Sequence, residues 1–376
     1  MIITDVEVLV VKQPEIKMIG DGSQDTAVVR VTTDTGIQGI GEIDSSPYIM
    51  KAIVESPASH EVCRGLRDAV IGMDPFDVEV IWQKMYNYSY YYGRRSAAIH
   101  AMSGIDIAIW DIIGKALGKP VHKLIGGAFR NKIKAYCSIL MPETEEEIAK
   151  ICETYLPMGF TGIKWGWGAL GRDDDKDLEL VRLCRKHMGD KAKLMIDIGM
   201  RWTEYKQAVR LCNKFSEYDV HWVEEPFLPD AVDFYKRLTQ DVSCVNISAG
   251  EELGTMYEFN ELINGCNIDI IQPDMSRCGG ITVAKKVMDM AMLKGIPMIP
   301  HAFKTGILMS ASLQLIAATP NSPFLEYCSQ ETVLSKNLVK HHFQIDSEGY
   351  VNIPDVPGLG VEIDEEVAER YTVKVW

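Results

Sequence analysis

Apolar and polar positions alternate with a period of two through TAVVRVTTDTGIQGIGEI, on both sides of an Asp-Thr-Gly turn from Asp34 to Gly36, and this predicts a β-hairpin. The preceding MIITDVEVLVV reads as a strand. Helical periodicity follows, most clearly in RRSAAIHAMSGIDIAIWDIIGKALGKPV, where Gly118 and Pro120 mark the end of the helix. Residues 1–130 are thus expected to form an α+β module. From about Lys132 the texture changes to short apolar runs separated by amphipathic helices. The runs are KAYCSIL, TGIKW, KLMID, HWVEEP, NISAGEE, IDIIQPD, IPMIPH and PFLEY. Eight strands alternating with helices predict a closed parallel α/β barrel over residues 131–344 in preference to an open sheet. The tail, from about 345 to 376, returns to strand and turn and is expected to rejoin the first module.

Composition narrows the function classes. Hydrophobic residues make up 47% of the 376, enough for a sizeable core. A net charge of −14 argues against a nucleic-acid or anionic-membrane surface, because both need a basic footprint. The nine cysteines are scattered without a C-x-x-C pair, which predicts reduced thiols and a cytoplasmic protein. Asp5 and Glu7 stand where a secretory signal would carry basic residues, and no apolar run looks long enough to span a bilayer.

The barrel reading gives the charged residues a common place, since each strand of such a barrel delivers its last inward side chain to one mouth. Those residues are Lys164, Asp197, Glu224, Glu251, Asp274, His301 and Glu326, and from Asp197 onward they recur every 23 to 27 residues, one strand-helix unit each. Asp197, Glu224 and Glu251 would bring three carboxylates together, and such a group repels itself unless a cation lies among them. An all-oxygen donor set suits a hard ion, most plainly one Mg²⁺ per subunit. Asp274 beside His301 would fix the imidazole tautomer and raise its pKa, as suits a base that must later return its proton. His221, by contrast, should point away from the side occupied by Trp222 and Glu224.

Taken together, AMSGIDIAIWDIIGKALGKPVHKLIGG, MID, WVEEP, AGEE, QPD and PHAFKTG, in this order and spacing, resemble the mandelate racemase-like subgroup of the enolase superfamily over nearly the whole chain. The resemblance implies a modified TIM (β/α) barrel under an α+β capping domain, and removal of the proton α to a metal-bound carboxylate. It implies that Asp197, Glu224 and Glu251 bind metal, that Asp274 and His301 form a base, and that Glu326 donates a hydrogen bond to a substrate carboxylate oxygen. Lys164 matches the first lysine of the family's K-x-K pair, and Gly166 stands where the second is expected. Gly199 is a second departure, at a position where relatives often carry a polar substrate contact.

The leading expectation is a sugar-acid dehydratase, in which His301 handles protons alone and Lys164, as a cation, favours the charge that grows on the substrate carboxylate. A racemase or epimerase using Lys164 and His301 from opposite faces is the runner-up, and a sugar-acid-binding relic without catalysis is the reading from another class. The loop KMIGDGSQDT, Lys17 to Thr26, has the composition of a lid or of an ordinary surface loop. The run MYNYSYYYGRR, Met85 to Arg95, could line the mouth or form a subunit contact of a homo-oligomer, and the contact is favoured because aromatic and Arg residues are enriched there.

Overall fold

In the computed structural model, which describes residues 1–375, the first module is a three-stranded antiparallel sheet ordered β1 (Ile3–Lys12), β2 (Asp25–Thr33), β3 (Gln38–Ile43). The hairpin closes as expected, with Gly36 in the left-handed region at φ 80°. Helix Ala97–Leu117 lies across this sheet and ends at Gly118, φ 62°, whose amide bonds back to the Lys115 carbonyl. Helix and sheet meet through glycine: a Cβ on Gly41 would lie 1.9 Å from the Gly104 carbonyl oxygen, so only a residue without one allows this approach. By length and composition this helix could cross a membrane, which corrects the expectation that no such run exists, but it is a core helix with 89% of that stretch buried.

The second module is a ring of parallel strands: β4 (Lys132–Leu140), β5 (Gly162–Gly166), β6 (Lys193–Asp197), β7 (Val220–Glu224), β8 (Asn246–Ala249), β9 (Ile270–Ile271) and β10 (Leu325–Cys328). β10 pairs with β4 in parallel. The run IPMIPH, expected as a full strand, is reduced to a bridge between Met298 and Ile271. Pro297 and Pro300 explain the difference, because neither has an amide to donate to a ladder. The ring is still continued there, by Ile299 N–H to the Ile271 carbonyl (3.0 Å) and Met298 N–H to the Asn321 carbonyl (3.2 Å). Tyr136, Met195, Trp222, Ile270 and Ile299 fill the interior and form a solid floor beneath the strand ends.

The two modules are stitched by buried polar groups. Glu42 on β3 accepts from Thr26 (2.8 Å) in the cap and from Thr305 (2.9 Å) and the Leu308 amide (2.9 Å) in the barrel. Asp111 accepts from the Ile40 and Leu359 amides at 3.0 and 2.8 Å, joining β3, the core helix and the tail. In the tail, β11 (Tyr350–Asn352) stays on β4, while the Val373 amide reaches the Val10 carbonyl on β1 at 2.8 Å.

Candidate active site

All seven charged residues are buried at the same end of the ring, and Lys164, Asp197, Glu251, His301 and Glu326 open onto one cavity of about 310 Å³ between barrel and cap. Glu224 and Asp274 stand directly behind that lining. His221 lies off the mouth, half-buried against Phe324, as its position one residue before Trp222 requires.

Asp197 closes β6, Glu224 closes β7 and Glu251 lies just beyond β8, so three adjacent strands present carboxylates side by side. One oxygen from each lies within 4.8 Å of the others. Glu224 Oε2 accepts from the Trp222 indole (2.9 Å) and the Gln272 amide (2.8 Å), which fixes its carboxylate plane. Asp197 Oδ1 accepts from the Gly199 amide at 2.8 Å. Glu251 Oε2 is buried with no hydrogen-bond partner. Burial and then the charge on Glu224 push the Asp197 carboxyl well above its ordinary range. Crowded oxygen donors with an orphaned oxygen among them fit a hard divalent cation.

Lys164 is the cation placed against Asp197 and Glu224, while Arg277 Nη1 lies 3.8 Å from Glu251. The Lys164 ammonium contacts Glu224, stands 2.7 Å from Glu326 and 4.0 Å from Asp197. Burial would lower its pKa, but Glu224 and Glu326 outweigh burial and hold it well above the lysine range. Glu326 Oε2 accepts from the Ala302 amide at 2.8 Å. Burial would raise the Glu326 carboxyl, yet Lys164 and His301 draw it down to about 2. In this arrangement Glu326 holds Lys164 as an acceptor, and the donor role implied by resemblance needs a proton on its carboxyl. Two residues along β5, a Cβ on Gly166 would fall 2.8 Å from Asp197 Oδ2, so a side chain there would require that carboxylate to shift.

His301 faces Lys164 across the cavity. Its Nδ1 is 2.6 Å from Asp274 Oδ2, and Asp274 Oδ1 accepts from the Ser276 amide and hydroxyl, each at 2.6 Å. Three hydrogen bonds thus fix the dyad, leaving Nε2 on the cavity side, 3.4 Å from Glu251. Burial alone would lower the imidazole pKa, but Glu251, Glu326 and the Asp274 bond raise it to about 10.

Several functional groups escaped sequence reasoning. Arg277, three residues after Asp274, binds Asp44 of the cap at 2.6 Å and Glu252 at 2.8 Å. Lys304, within the PHAFKTG motif, binds the other Asp44 oxygen at 2.7 Å. Asp44 carries no local signal, because only docking of the cap brings it to the cavity. Trp167, φ 55°, lies over Gly199, where a Cβ would sit 2.8 Å from the indole, so the aromatic ring fills the space a polar contact would take. The loop read as either a lid or an ordinary surface loop contributes Ile19, Gly20, Asp21 and Gly22 to the lining. Tyr90, Tyr91 and Tyr92 are exposed and do not line the cavity.

The charged groups follow one another round the mouth in strand order, beneath an α+β cap. Residues 3–126 match the family described as mandelate racemase / muconate lactonizing enzyme, N-terminal domain, and residues 147–367 match enolase C-terminal domain-like. The chain belongs to the enolase superfamily, in its mandelate racemase-like family. This superfamily member is 31% identical over 362 residues to the arabinonate dehydratase of Saccharolobus solfataricus, covering 96% of this chain and 94% of that one. It superposes on the 3,6-anhydro-D-galactonate cycloisomerase of Zobellia galactanivorans with a TM-score of 0.89, 31% identity and 100% of both chains covered. A racemase of Streptomyces coelicolor A3(2) with bound magnesium gives a TM-score of 0.86 at 27% identity, covering 99% of this chain and 100% of that one. The superfamily member is an enzyme, and its relatives include sugar-acid dehydratases.

Proposed function

We propose that this enzyme is a Mg²⁺-dependent sugar-acid dehydratase. The observation that carries the reading is the one-sided acid/base apparatus: the fixed His301–Asp274 dyad on one face of the cavity, and on the other a lysine committed to two carboxylates beside a glycine. Asp197, Glu224 and Glu251 would hold the ion, which when bound supplies positive charge to the substrate carboxylate as its α-proton leaves.

His301 Nε2 takes the α-proton while Asp274 keeps the proton on Nδ1 and balances the imidazolium. The same imidazolium protonates the departing β-hydroxyl: the Cα–H and Cβ–O bonds break, water leaves, and the resulting enol tautomerises to a 2-keto-3-deoxy acid. Lys164, held by Glu326, adds fixed positive charge on the opposite face, an interaction that strengthens as the carboxylate gains charge. A base must be neutral to act; Glu251, Glu326 and the Asp274 bond raise the His301 imidazole, and a cation beside Glu251 would offset the first of these. Epimerisation needs a second base, and a lysine held well above its ordinary range is a poor one. Likeness to a cycloisomerase supports a second reading of the same apparatus, in which a ring oxygen leaves in place of a hydroxyl. The exposed Tyr90–Tyr92 run supports self-association, and the free cysteines are in keeping with a reducing compartment.

The test is a screen of sugar acids with Mg²⁺ for keto-acid formation, repeated with His301→Asn. The reading expects a keto acid from at least one substrate and a loss of about 1000-fold or more in the variant. Turnover that survives in His301→Asn would move the base elsewhere.

A further inference from the structure

The cavity is short of uncommitted positive charge, and this bears on what it accepts. Three cations surround it, and each is paired. Lys164 is held by Glu224 and Glu326 at the floor. Arg277 gives Nη2 to Asp44 Oδ2 (2.6 Å), Nη1 to Glu252 (2.8 Å) and Nε to the Asp44 carbonyl (3.2 Å). Lys304 gives its ammonium to Asp44 Oδ1 (2.7 Å) and the Gly22 carbonyl (2.6 Å). A single buried carboxylate from the cap therefore occupies both barrel cations, one oxygen to each. Burial would raise its carboxyl, but Arg277 and Lys304 outweigh burial and hold it well below the usual range.

Against these stand six lining carboxylates, Asp21, Asp44, Asp197, Glu251, Glu252 and Glu326. They outnumber the three cations two to one, and a divalent ion at the triad with His301 protonated brings the two sums only to balance, leaving no surplus positive charge for a second carboxylate. Ile19, Leu140, Trp167 and Phe303 add apolar surface, and Ser138 a hydroxyl, with no charge.

Resting on the dehydratase reading, we propose that the enzyme selects monocarboxylate sugar acids over dicarboxylates, and that Asp44 enforces the choice by engaging Arg277 and Lys304. In the dehydratase reading one substrate carboxylate meets the ion that the triad would hold, with the Lys164 charge beside it. A second, at the far end of the chain, would meet carboxylates without a free cation, and like charges so placed are strongly disfavoured. Hydroxyls suit the same positions, because Glu252 and Asp21 accept hydrogen bonds.

Matched pairs test this: D-gluconate against D-glucarate, and D-galactonate against galactarate, each titrated calorimetrically with Mg²⁺ into the His301→Asn protein and assayed for turnover with the wild type. The expected result is a preference of about 100-fold or more for the monoacid of the pair that binds. Asp44→Asn should free both cations and narrow that preference by about tenfold or more through tighter diacid binding, and Glu252→Gln should shift it less in the same direction. Should Asp44→Asn fail to fold, the wild-type preference and Glu252→Gln decide. Equal or tighter diacid binding overturns the inference; if keto acid still forms, the dehydratase reading survives. A folded Asp44→Asn protein with an unchanged preference removes Asp44 from the account. If neither class binds or reacts, both readings fall.

Discussion

Two buried ionic clusters face the same cavity, and they are built to opposite rules. At the ends of β5 to β8 and β10, the carboxylates Asp197, Glu224 and Glu326 share one ammonium, Lys164, while Glu251 lies 3.8 Å from Arg277 Nη1 and 3.4 Å from His301 Nε2. On the seam with the cap, Asp44 and Glu252 meet two cations, Arg277 and Lys304. The first cluster leaves a Glu251 oxygen without a partner and drives the Asp197 carboxyl upward; the second holds Asp44 ionised. An under-neutralised cluster is costly to bury unless a further cation completes it, whereas a balanced one stands by itself and leaves no charge for a ligand. On the proposed reading the contrast separates two tasks: the strand-end cluster would recruit an ion for chemistry, and the seam cluster would shape what can enter.

The largest expected effect lies in the first cluster. Glu224→Gln removes one of its charges while keeping an oxygen and the shape of the side chain, and it should lower Mg²⁺ affinity and turnover each by about 100-fold or more. Calorimetry with Mg²⁺ alone reads the first quantity independently of the second. Unchanged metal affinity would mean that Lys164 satisfies the cluster and that no ion is needed there.

A smaller effect probes the seam, where Glu42 is buried with hydrogen bonds in place of an ion pair. Burial raises its carboxyl from 4.5 to about 7, against the lowering by Thr26 and Lys304. The sign follows from a folded pKa above the unfolded one: this contribution to stability is present below about pH 4.5 and is lost as pH rises through about 7. A shift of that size corresponds to roughly 3 kcal/mol. Glu42→Gln cannot titrate, so denaturant unfolding at pH 4.5 and 8 should show a smaller difference in the variant than in the wild type. Equal differences would assign the pH dependence to other groups.

How much of this was legible in the sequence depended on whether a feature repeats along the chain. The seven strand-end residues recur with the strand-helix unit, so periodicity alone brought Asp197, Glu224, Glu251 and His301 to one mouth. Asp44, Arg277 and Lys304 meet only when the cap docks, Asp44 and Arg277 being 233 positions apart in sequence, and no local pattern records that approach. The strand expected at IPMIPH failed for a local reason, the two prolines, although His301 still arrives at the mouth. Glu326 was placed correctly, but its ionised state depends on Lys164 and His301, neighbours in space and not in sequence. Gly166 and Gly199 were visible as departures. What fills their space, an aspartate oxygen and a tryptophan ring, was not.

The central claim is that one group, His301, moves protons on one face of the substrate. Its most direct test is incubation with an active sugar acid and Mg²⁺ in D₂O, with analysis of both product and recovered substrate. The account predicts a 2-keto-3-deoxy acid carrying solvent deuterium at C3, and recovered substrate of unchanged configuration at its α-carbon. Recovered substrate with deuterium at an inverted α-carbon would contradict it, because that outcome requires a second base on the face of Lys164.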